Sequence, residues 1–137
     1  MRKSYFKREN GQAMVEFAIV LPLMILLLCG IIEFGWIFMN QSLLDNANRE
    51  TTRYMTMNYD SSASVSTNQA AALAQMKLVL GSSVLSGSSL TLTYTINTTT
   101  NNITIYATYP LRTLTPVMPF ATNGTITIDS ETTMRIE

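Results

Sequence analysis

Two carboxylates occupy positions where carboxylates are costly. Glu16 opens an otherwise apolar stretch and Glu33 interrupts it, and Gly11 lies five residues before Glu16. A carboxylate held near a membrane core costs about 2.5–3.5 kcal/mol on insertion scales, so each of the two needs a partner or a route to water. Their separation of seventeen positions, at about 100° per residue, sets them roughly 100° apart around a helix. They do not form one stripe, so a paired-carboxylate acid/base site is not supported. Asp129 and Glu131 share a strand face and read as solvated. The chain has no His, and Cys29 is its only cysteine. That leaves no internal disulfide framework and too few ligands for a Cys/His metal site. Cys29 itself reads as a small apolar packing residue. No glycine-rich phosphate loop is present, and charged residues are few beyond position 60. No nucleophile–base pair can be assembled from this set, so neither catalysis nor a cofactor is expected.

The element that must position both carboxylates is a long apolar helix. Phe17 to Ile32 is a run of sixteen uncharged residues, and Phe34–Met39 extends it past Glu33. As a helix, Phe17–Met39 would span roughly 35 Å at about 1.5 Å per residue, enough for a hydrocarbon core of about 30 Å. Arg2, Lys3, Lys7 and Arg8 crowd the N-terminal side. They predict that this end stays cytoplasmic and that residues 40–137 lie outside the cell membrane. A conventional signal peptide fits less well, because Glu16 opens the stretch, the stretch is long, and no small-x-small site follows it. Trp36 and Phe38 suit the outer interface, and Pro22 predicts loosening around Val20–Pro22.

Past the span the pattern stays helical to Met57. Leu44, Ala47, Thr51 and Tyr54 recur at helical spacing, and Asp45–Arg49 and Glu50–Arg53 are i,i+4 and i,i+3 pairs. Asn58–Ser66 reads as a loop, then Thr67–Leu80 as a second helix that Thr67 caps and Gly81 stops. The period then changes to two. Leu90, Leu92, Tyr94 and Ile96 alternate with threonines, as do Ile103, Ile105 and Ala107. Ile126, Ile128, Met134 and Ile136 face away from Thr125, Thr127, Asp129, Glu131, Thr133 and Arg135. This predicts three antiparallel strands, wet on one side, with Tyr109-Pro110 and the Pro116/Pro119 segment as the long connection. Residues 58–137 are few enough to be marginal without the helix or neighbouring subunits.

The string Gly11-Gln-Ala-Met-Val-Glu16-Phe17 resembles the processing site of type IV pilin precursors. Over residues 11–54 the segment resembles the TadE-like family, pilin-like proteins (pseudopilins) of tight-adherence, Flp/Tad-type pilus systems. The matching elements are Gly11, Val15-Glu16-Phe17, Leu21-Pro22, Gly30-Ile31-Ile32-Glu33-Phe34-Gly35 and Asn46-Ala47-Asn48-Arg49-Glu50. Thr51-Thr52 stand where the family usually has Ala. The resemblance implies that a prepilin peptidase cuts after Gly11, with Gly11, Gln12, Glu16 and Phe17 as the processing residues. It further implies that Glu16 meets the new N-terminal amine of a neighbouring subunit during assembly. The alternative for Glu16 is a place at the cytoplasmic interface and nothing more. Glu33 either contacts another pilin-like subunit or snorkels to the outer interface.

The expected fold is α+β and pilin-like: a long N-terminal membrane-spanning helix, its outer half packed on a small three-stranded antiparallel sheet. The expected divisions are a basic leader at 1–11, a transmembrane helix at 12–39, its outward continuation at 40–57 and a small extracytoplasmic domain at 58–137. The expected role is a minor pilin or pseudopilin. Its partners would be the prepilin peptidase, other pilin-like subunits, the membrane assembly platform and the lipid bilayer. The alternative is an unprocessed, single-pass membrane-anchored adhesin or binding module. Asn97-Thr-Thr, Asn102-Ile-Thr and Asn123-Gly-Thr match glycan acceptor spacing, which Thr-rich strands also produce by chance. Nucleic acid is not an expected partner, because the only basic cluster belongs to the leader.

Overall fold

The computed structural model describes residues 6–87, 89–115 and 123–136, with side chains from Gly11 onward. Residues 1–5 of the expected leader and the Pro116/Pro119 segment lie outside the described residues. Helix α1 (Phe6–Met57) is 52 residues long and continues through Pro22. Beyond it come α2 (Val65–Leu80), a 3-10 turn (Val84–Ser86), and strands β1 (Thr91–Asn97), β2 (Asn102–Arg112) and β3 (Thr125–Arg135). The fold is α+β and pilin-like, a long apolar helix joined to a three-stranded antiparallel sheet of order β1-β2-β3.

The register follows from the alternation of side chains. Leu92 opposes Ala107 and Tyr94 opposes Ile105, so the apolar sets of β1 and β2 fall on one face. Ile105 in turn opposes Thr132, and Ala107 opposes Ser130. That face is covered by α1 and α2, and Leu44, Ala47 and Met55 join Ala72, Met76, Leu80, Ile103, Ile105 and Ile128 in one buried cluster. The other face carries the exposed Thr125, Thr127, Asp129, Glu131, Thr133 and Arg135. A one-residue slip would exchange the two faces, which is why a half-buried sheet holds its register.

Three details differ from the sequence expectation. β2 runs on through Tyr109-Pro110 to Arg112, pairing Pro110 with Thr127. Its pairing with β1 ends at Thr108, so at Pro110 the strand has one neighbour and the missing N–H need not break a ladder bond. Ser64, not Thr67, caps α2: the Ser64 hydroxyl accepts from the Thr67 N–H at 3.2 Å. This adds nearly a turn and buries Asn68, whose side chain donates to the Asp60 carbonyl. On α1 the buried stripe ends at Met55, with Tyr54 exposed. Gly81 stops α2 as expected, with φ +56° and its N–H on the carbonyls of Lys77 and Leu78.

Candidate functional site

The residues expected to be read in processing lie on the free part of α1. Gly11, Gln12, Glu16 and Phe17 are all exposed, and a Cβ added at Gly11 would meet nothing within 4 Å. They occupy consecutive turns of a bare helix, with no other element brought against them. Because α1 begins at Phe6, the Gly11–Gln12 bond is helical, and a protease that reads an extended chain must first unwind this end. Gly weakens a helix interior by about 1 kcal/mol relative to Ala, which makes such unwinding easier there than within the Leu-rich run. From Gly11 to Ile32 the helix is exposed at every position except the half-buried Leu21 and Cys29. It is long and apolar enough to cross a membrane, with a mean hydropathy of 2.7 over its most apolar window.

Glu33 has the opposite environment. It is 1% exposed, although its neighbours Ile32 and Phe34 are open. The Leu114 N–H reaches both of its carboxylate oxygens at 3.1 Å. Thr115 donates twice to Oε2, from its N–H at 2.7 Å and its hydroxyl at 2.8 Å. One turn further on, the Trp36 indole N–H donates to the Arg112 carbonyl at 3.3 Å. The first residues after β2 are thus clasped to one turn of α1. Charge-assisted bonds from three donors can offset the desolvation of a buried carboxylate. The partner is the chain's own loop, an arrangement that neither sequence expectation for Glu33 had named.

A second polar contact fixes α1 to the sheet higher up. Asn48, fully buried, donates from Nδ2 to the carbonyls of Ile105 at 3.1 Å and Ser130 at 2.9 Å. Gln41 Nε2 donates to the Asp129 carbonyl at 2.7 Å. Asn40, Asn48, Thr51 and Thr52 are all buried on the stripe that holds Leu44 and Ala47. Thr52 returns its hydroxyl to the Asn48 carbonyl at 2.7 Å, and Asn40 donates to the Trp36 carbonyl at 2.8 Å. The helical period of positions 33, 40, 44, 48, 51 and 55 carries this face, and the available signal was position, not polarity.

Glu16 and Glu33 therefore do not meet: one is exposed on the bare helix, the other enclosed by a loop. No group of three or more His, Cys, Asp or Glu gathers among the described residues. The site is a membrane-type stem with a clasp at its upper end. No curated protein and no solved structure matches the chain. Residues 11–53, the stem from the leader junction through the clasp and most of the sheet-covered turns, match the family model of the TadE-like proteins, the Tad pilus-associated family that the sequence motifs resemble.

Proposed function

We propose that the chain is a minor pilin, or pseudopilin, that helps assemble or prime a tight-adherence pilus after a prepilin peptidase has cut it between Gly11 and Gln12. The observation that carries this reading is that the TadE-like segment and a folded α+β domain share one unbroken helix. A fibre subunit needs such a stem, which can pack among other stems while its domain lies outside. In this reading residues 12–39 are the membrane stem, 40–57 its outward continuation and 58–137 the extracytoplasmic domain, with the leader on the cytoplasmic side. Glu16 is drawn out of the bilayer by the Gln12 amine of a neighbouring subunit. Glu33 serves assembly indirectly, by holding the domain on the stem. The other pilin-like subunits and the membrane assembly platform are the partners.

Mass spectrometry of protein extracted from cells with an active prepilin peptidase should find an N-terminus at Gln12; an intact leader there would defeat the proposal. Glu16→Gln should still insert into the membrane but fail to enter pili. Normal incorporation of that variant would remove Glu16 from the mechanism.

A further inference from the structure

The clasp at Glu33 sets a height as well as a contact. Glu33 lies seventeen residues above Glu16, about 25 Å along the helix, and a hydrocarbon core is about 30 Å thick. With Glu16 at the inner boundary, the clasp falls just inside or at the outer boundary, where water is scarce. There the N–H groups of Leu114 and Thr115 and the Thr115 hydroxyl take water's place around the carboxylate. Large apolar side chains are left open at this level. Leu114 is 58% exposed and Phe34 is 71% exposed, with Phe38 stacked on Phe34 at 6.3 Å and open as well. Phe34 and Phe38 continue along α1 the bare apolar surface of Phe17–Ile32. Arg112, on the same loop edge, is exposed and cationic. The far end of the sheet, Asn97–Asn102, shows only Asn and Thr.

We propose that the Arg112–Leu114 edge of the domain is a second, non-helical contact with the lipid bilayer. Leu114 enters the outer leaflet at the level of Phe34 and Phe38, and the Arg112 guanidinium lies among the lipid phosphates. Glu33 is the positioning residue that holds this edge down. The inference rests on the reading of α1 as a membrane span and goes beyond it. The bilayer is the favoured occupant because the exposed Leu114 is held at the height of the exposed Phe34 and Phe38, at the top of the bare apolar run of α1, and a cation borders it, which is how chains meet a membrane interface. A second copy of the stem would not call for Arg112.

The test uses the full chain with Cys29→Ser and single cysteines at Leu26, Thr99 or Leu114, each carrying an environment-sensitive fluorophore. The protein is reconstituted in phosphatidylcholine–phosphatidylglycerol vesicles with and without brominated acyl chains. Brominated lipid should quench the label at 114 to an extent approaching that at 26, and leave 99 unaffected. Glu33→Ala should abolish quenching at 114 while 26 is unchanged. Glu33→Gln, whose side-chain oxygen can still accept the loop N–H groups, should restore much of it, and Thr115→Val should lower it in part. A label at 114 that emits as in water overturns the proposal. So does one that is shielded from water but insensitive to brominated lipid, which would mean that protein covers it. Quenching at 114 that survives Glu33→Ala removes Glu33 from its positioning role. Failure of the span itself is recognised separately, by absence of quenching at 26.

Discussion

From Gly11 to Ile32, α1 opens nearly all its side chains and, Gln12 and Glu16 apart, those side chains are apolar; from Glu33 to Met57 it buries a stripe, and more than half of that stripe is polar. The inversion is physical. In a bilayer the helix satisfies its own backbone and the side chains need only be apolar. Against a sheet, the same cylinder must fill a surface and also meet backbone carbonyls of the strands. Leu44, Ala47 and Met55 do the first; Asn48 and Gln41 do the second. Glu33 marks the change of regime, interrupting the long apolar run and being the first residue on α1 whose side chain is enclosed by the domain.

Substitutions should therefore divide sharply at Glu33. The largest effect expected is from Leu44→Ala, which empties a fully buried site between helix and sheet and should destabilise the domain by about 2–5 kcal/mol. Leu26→Ala, 55% exposed on the bare half, should leave it unchanged. Amide hydrogen exchange of the strands, with the full chain in detergent micelles, reads both; equal effects would erase the distinction. Asn48→Leu comes next. It keeps the number and branching of side-chain heavy atoms but strips the carbonyls of Ile105 and Ser130 of a donor, at about 1–3 kcal/mol. A neutral outcome would mean that only packing matters on the upper half. Ser64→Ala removes the α2 cap and should cost about 1 kcal/mol, seen first as faster exchange at the start of α2.

The smallest effect is expected at Tyr94, which is buried and has no partner for its hydroxyl among the described residues. Burial, with a lesser contribution from Tyr59, raises its phenol above the ordinary value of 10.0. The folded state thus holds the proton more tightly than the unfolded one. This contribution to stability is fully present below pH about 10 and is lost as pH rises through the folded value. Tyr94→Phe should be neutral or slightly stabilising at pH 7 and should flatten the alkaline decline of the melting temperature. An unchanged alkaline slope would clear Tyr94 of that decline.

Where one force decided the outcome, the residues were legible. The apolar run, the two-residue period of Leu90–Ile96 and Ile126–Ile136, and Gly81 at the end of α2 each follow from burial or from backbone sterics alone. The places that escaped are those where a distant element decided. Pro110 reads as a break unless one knows that β1 has already ended beside it. Ser64 and Thr67 are both competent caps, and the choice fell to the turn that buries Asn68. Thr51 shares the helical spacing of Leu44 and Ala47, but nothing local marks Asn48 and Thr52 as buried, because their partners lie 57 or more residues away in the sheet or one turn along the helix. Glu33 announced its need for a partner, but nothing local in Leu114-Thr115 announces a carboxylate-binding loop. The match over residues 11–53 covers the stem, and the domain beyond it was reached from its alternation of side chains.

The lowest and highest polar fastenings of the domain, at Glu33 and at Asn48, are fifteen residues apart with Gln41 between them, about 22 Å along a rod with no loop between them. A tension applied along the stem would therefore reach the sheet as shear, divided between the lower loop and the carbonyls of Ile105, Asp129 and Ser130. A single hinge would concentrate that force and let the domain swing. Two anchorages on one rigid shaft make the domain turn and rise with the stem, so axial motion at the membrane is transmitted to the sheet without slack.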